Sequence, residues 1–145
     1  MALMHAPKGM AQAVKMGPMG EQSRSIDAHI RNPDLCKYHV VTLPEELPMK
    51  EAAELMAQLK DEFSISAELV MNKILQVPVA ENILAQAEKE SGDLGKFAGY
   101  LHQQTHHQSR MVEVGRGLTK KNHEVPLLFE DSPWKIVELV ARALS

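Results

Sequence analysis

The residues best suited to chemistry are Asn72 and Lys73, in the stretch ELVMNKILQ (68–76). Leu69, Val70 and Met71 run straight into them, as a buried strand does when it delivers a polar pair to the rim of a sheet. In open α/β sheets, ligands gather beyond the carboxyl ends of the strands. There the side-chain amide of Asn72, both donor and acceptor, can pair with an adenine edge at N6 and N7. A guanine-reading Asn-Lys-x-Asp pattern needs an acceptor at its fourth position. Leu75 stands there and offers none, so if this rim holds a base, adenine is favoured over guanine. The plainer reading is that Asn72 is a turn former closing a strand.

The phosphate side of a nucleotide site is missing from the sequence. No stretch matches G-x-x-x-x-G-K-[ST], whose backbone N–H groups and lysine cradle phosphate. GRGLTKK (115–121) has the wrong spacing, precedes a strand rather than following one, and fails G-x-G-x-x-G because Lys120 occupies the third glycine position. Neither G-x-S-x-G nor HExxH occurs, and no catalytic residue is assigned. In HQQTHHQ (102–108), His102 and His106 have the i, i+4 spacing of a metal pair. With no acidic residue or cysteine at a neighbouring ligand position, a solvated helix face is the simpler account, and no metal ligand is assigned. Cys36, the single cysteine, excludes an intrachain disulfide and any Cys-x-x-Cys site, and reads as a small buried residue near the first strand. Five of the nine methionines fall within residues 1–20 (Met1, Met4, Met10, Met16 and Met19), as ordinary core or as a soft surface for an apolar partner.

These residues need a scaffold, and the chain is long enough for one. A single domain, 1–145, is expected, with 44% hydrophobic and 24% charged residues. A net charge of −3 gives no basic field for nucleic acid. Residues 45–98 carry eleven Asp/Glu against five Lys/Arg, the signature of solvated helix surface. No apolar run reaches a membrane span, the N-terminus lacks a signal-peptide h-region, and the lone cysteine fits a cytoplasmic protein. The pattern predicts a Met-rich helical segment (1–31) with a helix over about 21–31, then a turn at Asn32-Pro33-Asp34. A strand at YHVVTL (38–43), a helix over about 48–62 and a strand at SAELVMN (66–72) make a strand-helix-strand block (38–76). The helix carries Ala52, Leu55, Met56, Leu59 and Phe63 on one face. A helical insert (77–122) breaks near Ser91-Gly92. A strand-helix unit (123–145) follows, with the strand at EVPLLF (124–129) and a helix opened by Ser132-Pro133. The last helix presents Ile136, Val137, Val140 and Leu144 together. Pro126 cannot donate to a ladder, so its strand lies at an edge or pairs only after the proline. Alternation of this kind predicts an α/β fold with parallel strands joined by helical crossovers, and three strands are few for such a sheet.

Read together, NPDLCKYHVVTLPEELPMKEAAELMAQLKDE (32–62) and ISAELVMNKILQ (65–76) resemble the anion-transporting ATPases. That family includes the arsenite-pump ATPase (ArsA) and the tail-anchored-protein targeting ATPase. Its members show a strand ending near Pro-Glu, a helix with a Glu at the position of Glu51, a strand ending in Asn, and a Val-Pro-Leu strand matched here by EVPLLF. The resemblance spans about Ala6 to Ser145, specific over 38–76 and loose over 77–122. It implies a three-layer, P-loop NTPase-like partial domain: the C-terminal half of the ATPase domain, beginning just after the second switch and without the P-loop. Asn72, with Lys73 beside it, would then contact adenine, and Pro126-Leu127 would lie against the same ring. ATP or ADP with Mg would be bound in the complete molecule, while the chain alone would need no cofactor and hydrolyse nothing. The strand next to the family's phosphate-loop strand would show an exposed edge, inviting self-association or pairing with an N-terminal P-loop half. Neither the family's dimer-clamping Cys-x-x-Cys nor cysteines for arsenite are present. The alternative is a non-enzymatic binding module whose Met-rich surface takes an apolar peptide or a membrane-protein client.

Overall fold

The computed structural model describes residues 6, 7, 9, 10, 13, 14 and 17–144. Met1, Met4 and Met16 lie outside the described residues. The fold is α/β, a three-stranded parallel sheet flanked by helices. In chain order the elements are α1 (Pro18–Arg31), β1 (His39–Thr42), α2 (Glu46–Phe63), β2 (Glu68–Ile74), α3 (Glu81–Ala87), α4 (Asp93–Leu118), β3 (Asn122–Pro126) and α5 (Pro133–Ala143). They form two compact units, dividing within α2: residues 1–38 with 58–67, and residues 39–57 with 68–145.

In the first unit, α1 starts with proline in its first turn, where a missing N–H costs nothing, and ends with His29 and Arg31, suited to the negative helix terminus. Arg31 fixes that terminus. It pairs with Asp27 at 3.0 Å, donates to Phe63 O at 2.8 Å and stacks over the Phe63 ring. Phe63, Leu59, Ile65 and Ala67 are buried. Ser64, at φ 58, takes the left-handed conformation that ends α2, its N–H donating to Lys60 O. Cys36, expected to be buried, is half-buried.

The second unit holds the sheet, in the order β1-β2-β3 with both pairs parallel. Val40 pairs with Leu69 and Thr42 with Met71, so these four share one face by the alternation of strand side chains. Leu69 and Met71 are 0% exposed. Helix α4 packs its backbone onto this face through Gly115. A Cβ there would run into Met71 Sδ and press on Leu69 Cδ2 at 3.3 Å, so glycine permits this close approach without moving the Met71 side chain. The opposite face carries His39, Val41, Glu68, Val70 and His123. β1 has β2 as its one strand partner among the described residues and so forms an edge of the sheet; Val41 on it is 62% exposed.

Two strands differ in extent from the sequence pattern. β2 runs past Asn72 to Ile74 because pairing resumes, after an irregularity following Met71, between Ile74 and Pro126. β3 occupies Asn122–Pro126 rather than 124–129, its pairing starting opposite Leu69. Pro126 ends this edge strand and the ladder precedes it, the first of the two arrangements open to a proline here. No residue of α5 is buried, so its apolar stripe of Ile136, Val137 and Val140, continued by Leu144 at the C-cap, packs only partly.

Candidate functional site

The carboxyl end of the sheet is shaped by one backbone irregularity. Lys73 adopts φ 59, the left-handed region that β strands avoid and non-glycine residues rarely enter. The register shifts there, which is a β-bulge, and bulges re-aim the side chains beside them. Asn72 stabilises the turn through its own side chain, Oδ1 accepting from Lys73 N–H at 2.9 Å. That leaves the amide NH2 and the second lone pair of Oδ1 for a ligand.

A second amide holds the bulge from outside the strand. Gln108 on α4 accepts from Leu75 N–H at 2.8 Å, and its Nε2 lies 3.4 Å from Lys73 O. The ladder lost at the bulge is replaced by a side chain, as half-buried backbone groups require. Gln108 belongs to the HQQTHHQ stretch. The sequence drew attention to its histidines, but its glutamine touches the rim. His102 does find acidic neighbours, Glu88 at 3.0 Å and Glu81 at 3.8 Å, Glu81 opening α3 and Glu88 capping its end.

Asn72 opens onto a cavity of about 330 Å³ lined by the end of β1 (Val40 to Leu43), by Pro48, Glu51 and Leu55 of α2, and by Asn72 itself. This is the lower end of the size range of ligand pockets, room for a ring system rather than a whole nucleoside triphosphate. Its walls are apolar apart from the Asn72 amide, Thr42 and the Glu51 carboxylate. The other rim residues stand apart from it. Lys73 is exposed, Pro126 pairs in register with Ile74, and Leu127 N–H donates to Ile74 O at 2.8 Å. Lys73, Pro126 and Leu127 do not line the Asn72 cavity.

The amino end of the same sheet carries a group that the sequence pattern did not reveal. His39 opens β1, Glu68 opens β2, and His123 is the second residue of β3. Parallel pairing sets them side by side on one face. His123 Nε2 lies 3.0 Å from Glu68 Oε2, and His39 Nδ1 lies 3.7 Å from the same oxygen. Lys121 Nζ reaches the other carboxylate oxygen, Oε1, at 3.5 Å. The hydrogen bond from His123 holds the Glu68 carboxyl below its usual range, against the upward push of burial and with help from the Lys121 charge. The available signal was that a titratable residue stands at or next to the start of each strand. It becomes informative only once the register is known.

No protein-family model matches this chain, and no curated protein matches it.

Proposed function

We propose that this chain supplies the adenine-facing wall of an ATP site of the anion-transporting ATPase type, in a P-loop NTPase-like sheet whose phosphate-binding elements come from other residues. The observation that carries the reading is the position of Asn72. Asn72 stands beside a bulge at the carboxyl end of the central parallel strand and is among the residues lining a cavity of base-sized volume. The open edge of β1 supports it, since that is where a phosphate-loop strand would pair. The donor set fits a purine and not a triphosphate: an uncharged amide and apolar walls, with Glu51 repelling anions. Magnesium and the γ-phosphate therefore fall to the phosphate-loop partner, and the chain alone hydrolyses nothing. An exposed strand edge also favours pairing with such a half or with a second copy of this chain.

Calorimetric titration of the full chain with adenosine, ATP and GTP tests this. Adenosine should bind weakly and without magnesium, ATP no more tightly than adenosine because Glu51 repels its phosphates, and GTP should not bind. Asn72→Ala should weaken adenosine about tenfold, the worth of roughly one net hydrogen bond. Equal binding of ATP and GTP, or adenosine binding indifferent to Asn72→Ala, would end the proposal.

The exposure of Met10, Met19 and Ile26 favours a second reading, a non-enzymatic binding module for an apolar peptide or membrane-protein client. Peptide binding that ignores Asn72→Ala but falls with Met19→Glu would select it.

A further inference from the structure

The three residues at the amino end of the sheet have the makeup of a metal site. We infer that His39, Glu68 and His123 bind one divalent transition-metal ion, of the zinc class, as a two-histidine, one-carboxylate set with an open fourth position. One ligand atom from each lies within 4.8 Å of the others. Ligands about 2.1 Å from a tetrahedral zinc stand roughly 3.4 Å apart, so closing around an ion needs side-chain shifts of about 1.4 Å at most. His39 has the freedom to make them, since its side chain is 40% exposed. Glu68 and His123 are 18% and 20% exposed, already held in place.

Several features favour an ion over a simple ion pair. Each ligand comes from a different strand of one hydrogen-bonded ladder, so the backbone fixes their spacing. The two oxygens of Glu68 are divided: Oε2 faces both imidazoles, while Oε1 is held by Lys121. Lys121 thereby orients the carboxylate as an outer-shell partner does. The His39 and His123 rings meet edge to face with centroids 6.1 Å apart, so both can turn a nitrogen toward Glu68 without stacking against each other. Imidazole with carboxylate suits zinc, copper, iron and nickel rather than calcium or magnesium. The nearby ammonium of Lys121 opposes a cation, which favours moderate over very tight affinity.

This site is independent of the adenine reading. Glu68 and Asn72 are four residues apart on β2, about 13 Å along the strand and toward opposite ends of the sheet.

The test uses the full chain, stripped with a chelator and titrated with zinc chloride and with cobalt chloride. The expected result is one ion per chain, a tetrahedral or five-coordinate cobalt spectrum, and a raised thermal midpoint. Glu68→Gln and His123→Ala should each weaken zinc by at least about tenfold. His102→Ala and His106→Ala, on the other histidine cluster, should leave it unchanged. Should a ligand variant fail to fold, the wild-type imidazole NMR signals decide instead, because zinc must shift those of His39 and His123. No binding at micromolar zinc overturns the site. So does binding lost with His102→Ala or His106→Ala but kept with His123→Ala, or imidazole shifts confined to the α4 histidines.

Discussion

The two ends of the sheet are built by opposite means. The carboxyl end depends on a break in regularity: a bulge, a lysine in left-handed conformation and a glutamine replacing lost ladder contacts. Its polar groups are mostly neutral amides. The amino end depends on regularity. Three charged or titratable side chains meet because three strands pair in plain parallel register. An irregular rim can aim a single side chain at a flat, uncharged ligand, whereas an even ladder can surround a small cation from several sides. The same short β2 serves both.

The strongest way to break the contrast is to remove the ladder common to both ends. Leu69→Ala, at a position with no exposed surface, should cost about 2–5 kcal/mol in urea denaturation and loosen both ends together. A variant that loosened one end alone would show the two to be less coupled than the sheet implies. Gln108→Ala should act on one end only. It leaves Leu75 N–H without its acceptor and should cost about 1–2 kcal/mol. Hydrogen exchange at Leu75 should accelerate while the His123 imidazole signals stay in place. Lys73→Gly works in the other direction. It removes the penalty of a side chain at φ 59 and should stabilise the protein by about 1 kcal/mol. If it destabilises instead, the Lys73 side chain makes a contribution that outweighs its backbone strain. The smallest effect belongs to the open edge between the two ends. Val41→Lys should change stability by less than about 0.5 kcal/mol. Sedimentation should show any concentration-dependent self-association falling with it, since lysine on an edge strand discourages pairing.

The alternation of elements and the parallel sheet were legible because strand and helix patterns are local. YHVVTL and the periodic face from Ala52 to Phe63 announced β1 and α2 within about two residues. Asn72 was legible for the same reason, as the polar residue closing an apolar run. The bulge was not, because nothing in Asn-Lys marks a left-handed lysine as a glycine would. Nor could β3 be seen to begin at Asn122. Neither Asn nor His favours strands, and these two join the ladder because β2 offers them partners. The His39, Glu68 and His123 group stayed hidden for a related reason. Its members are 29 and 55 residues apart in sequence, and only long-range pairing brings them together. The glutamine that supports the rim was passed over for its histidine neighbours, whose chemistry is more conspicuous in a string of letters.

The seat of α4 on Met71 gives the molecule a built-in record of its own opening. With Gly115 pressed against the thioether and no surface of Met71 in contact with water, peroxide has no route to that sulfur while the helix stays docked. Sulfoxide at Met71 should therefore accumulate at the pace of cooperative unfolding, whereas Met10 and Met19 oxidise at once. Once oxidised, Met71 would carry a polar oxygen into the contact with Gly115, so the helix would redock less stably until the thioether was restored by reduction.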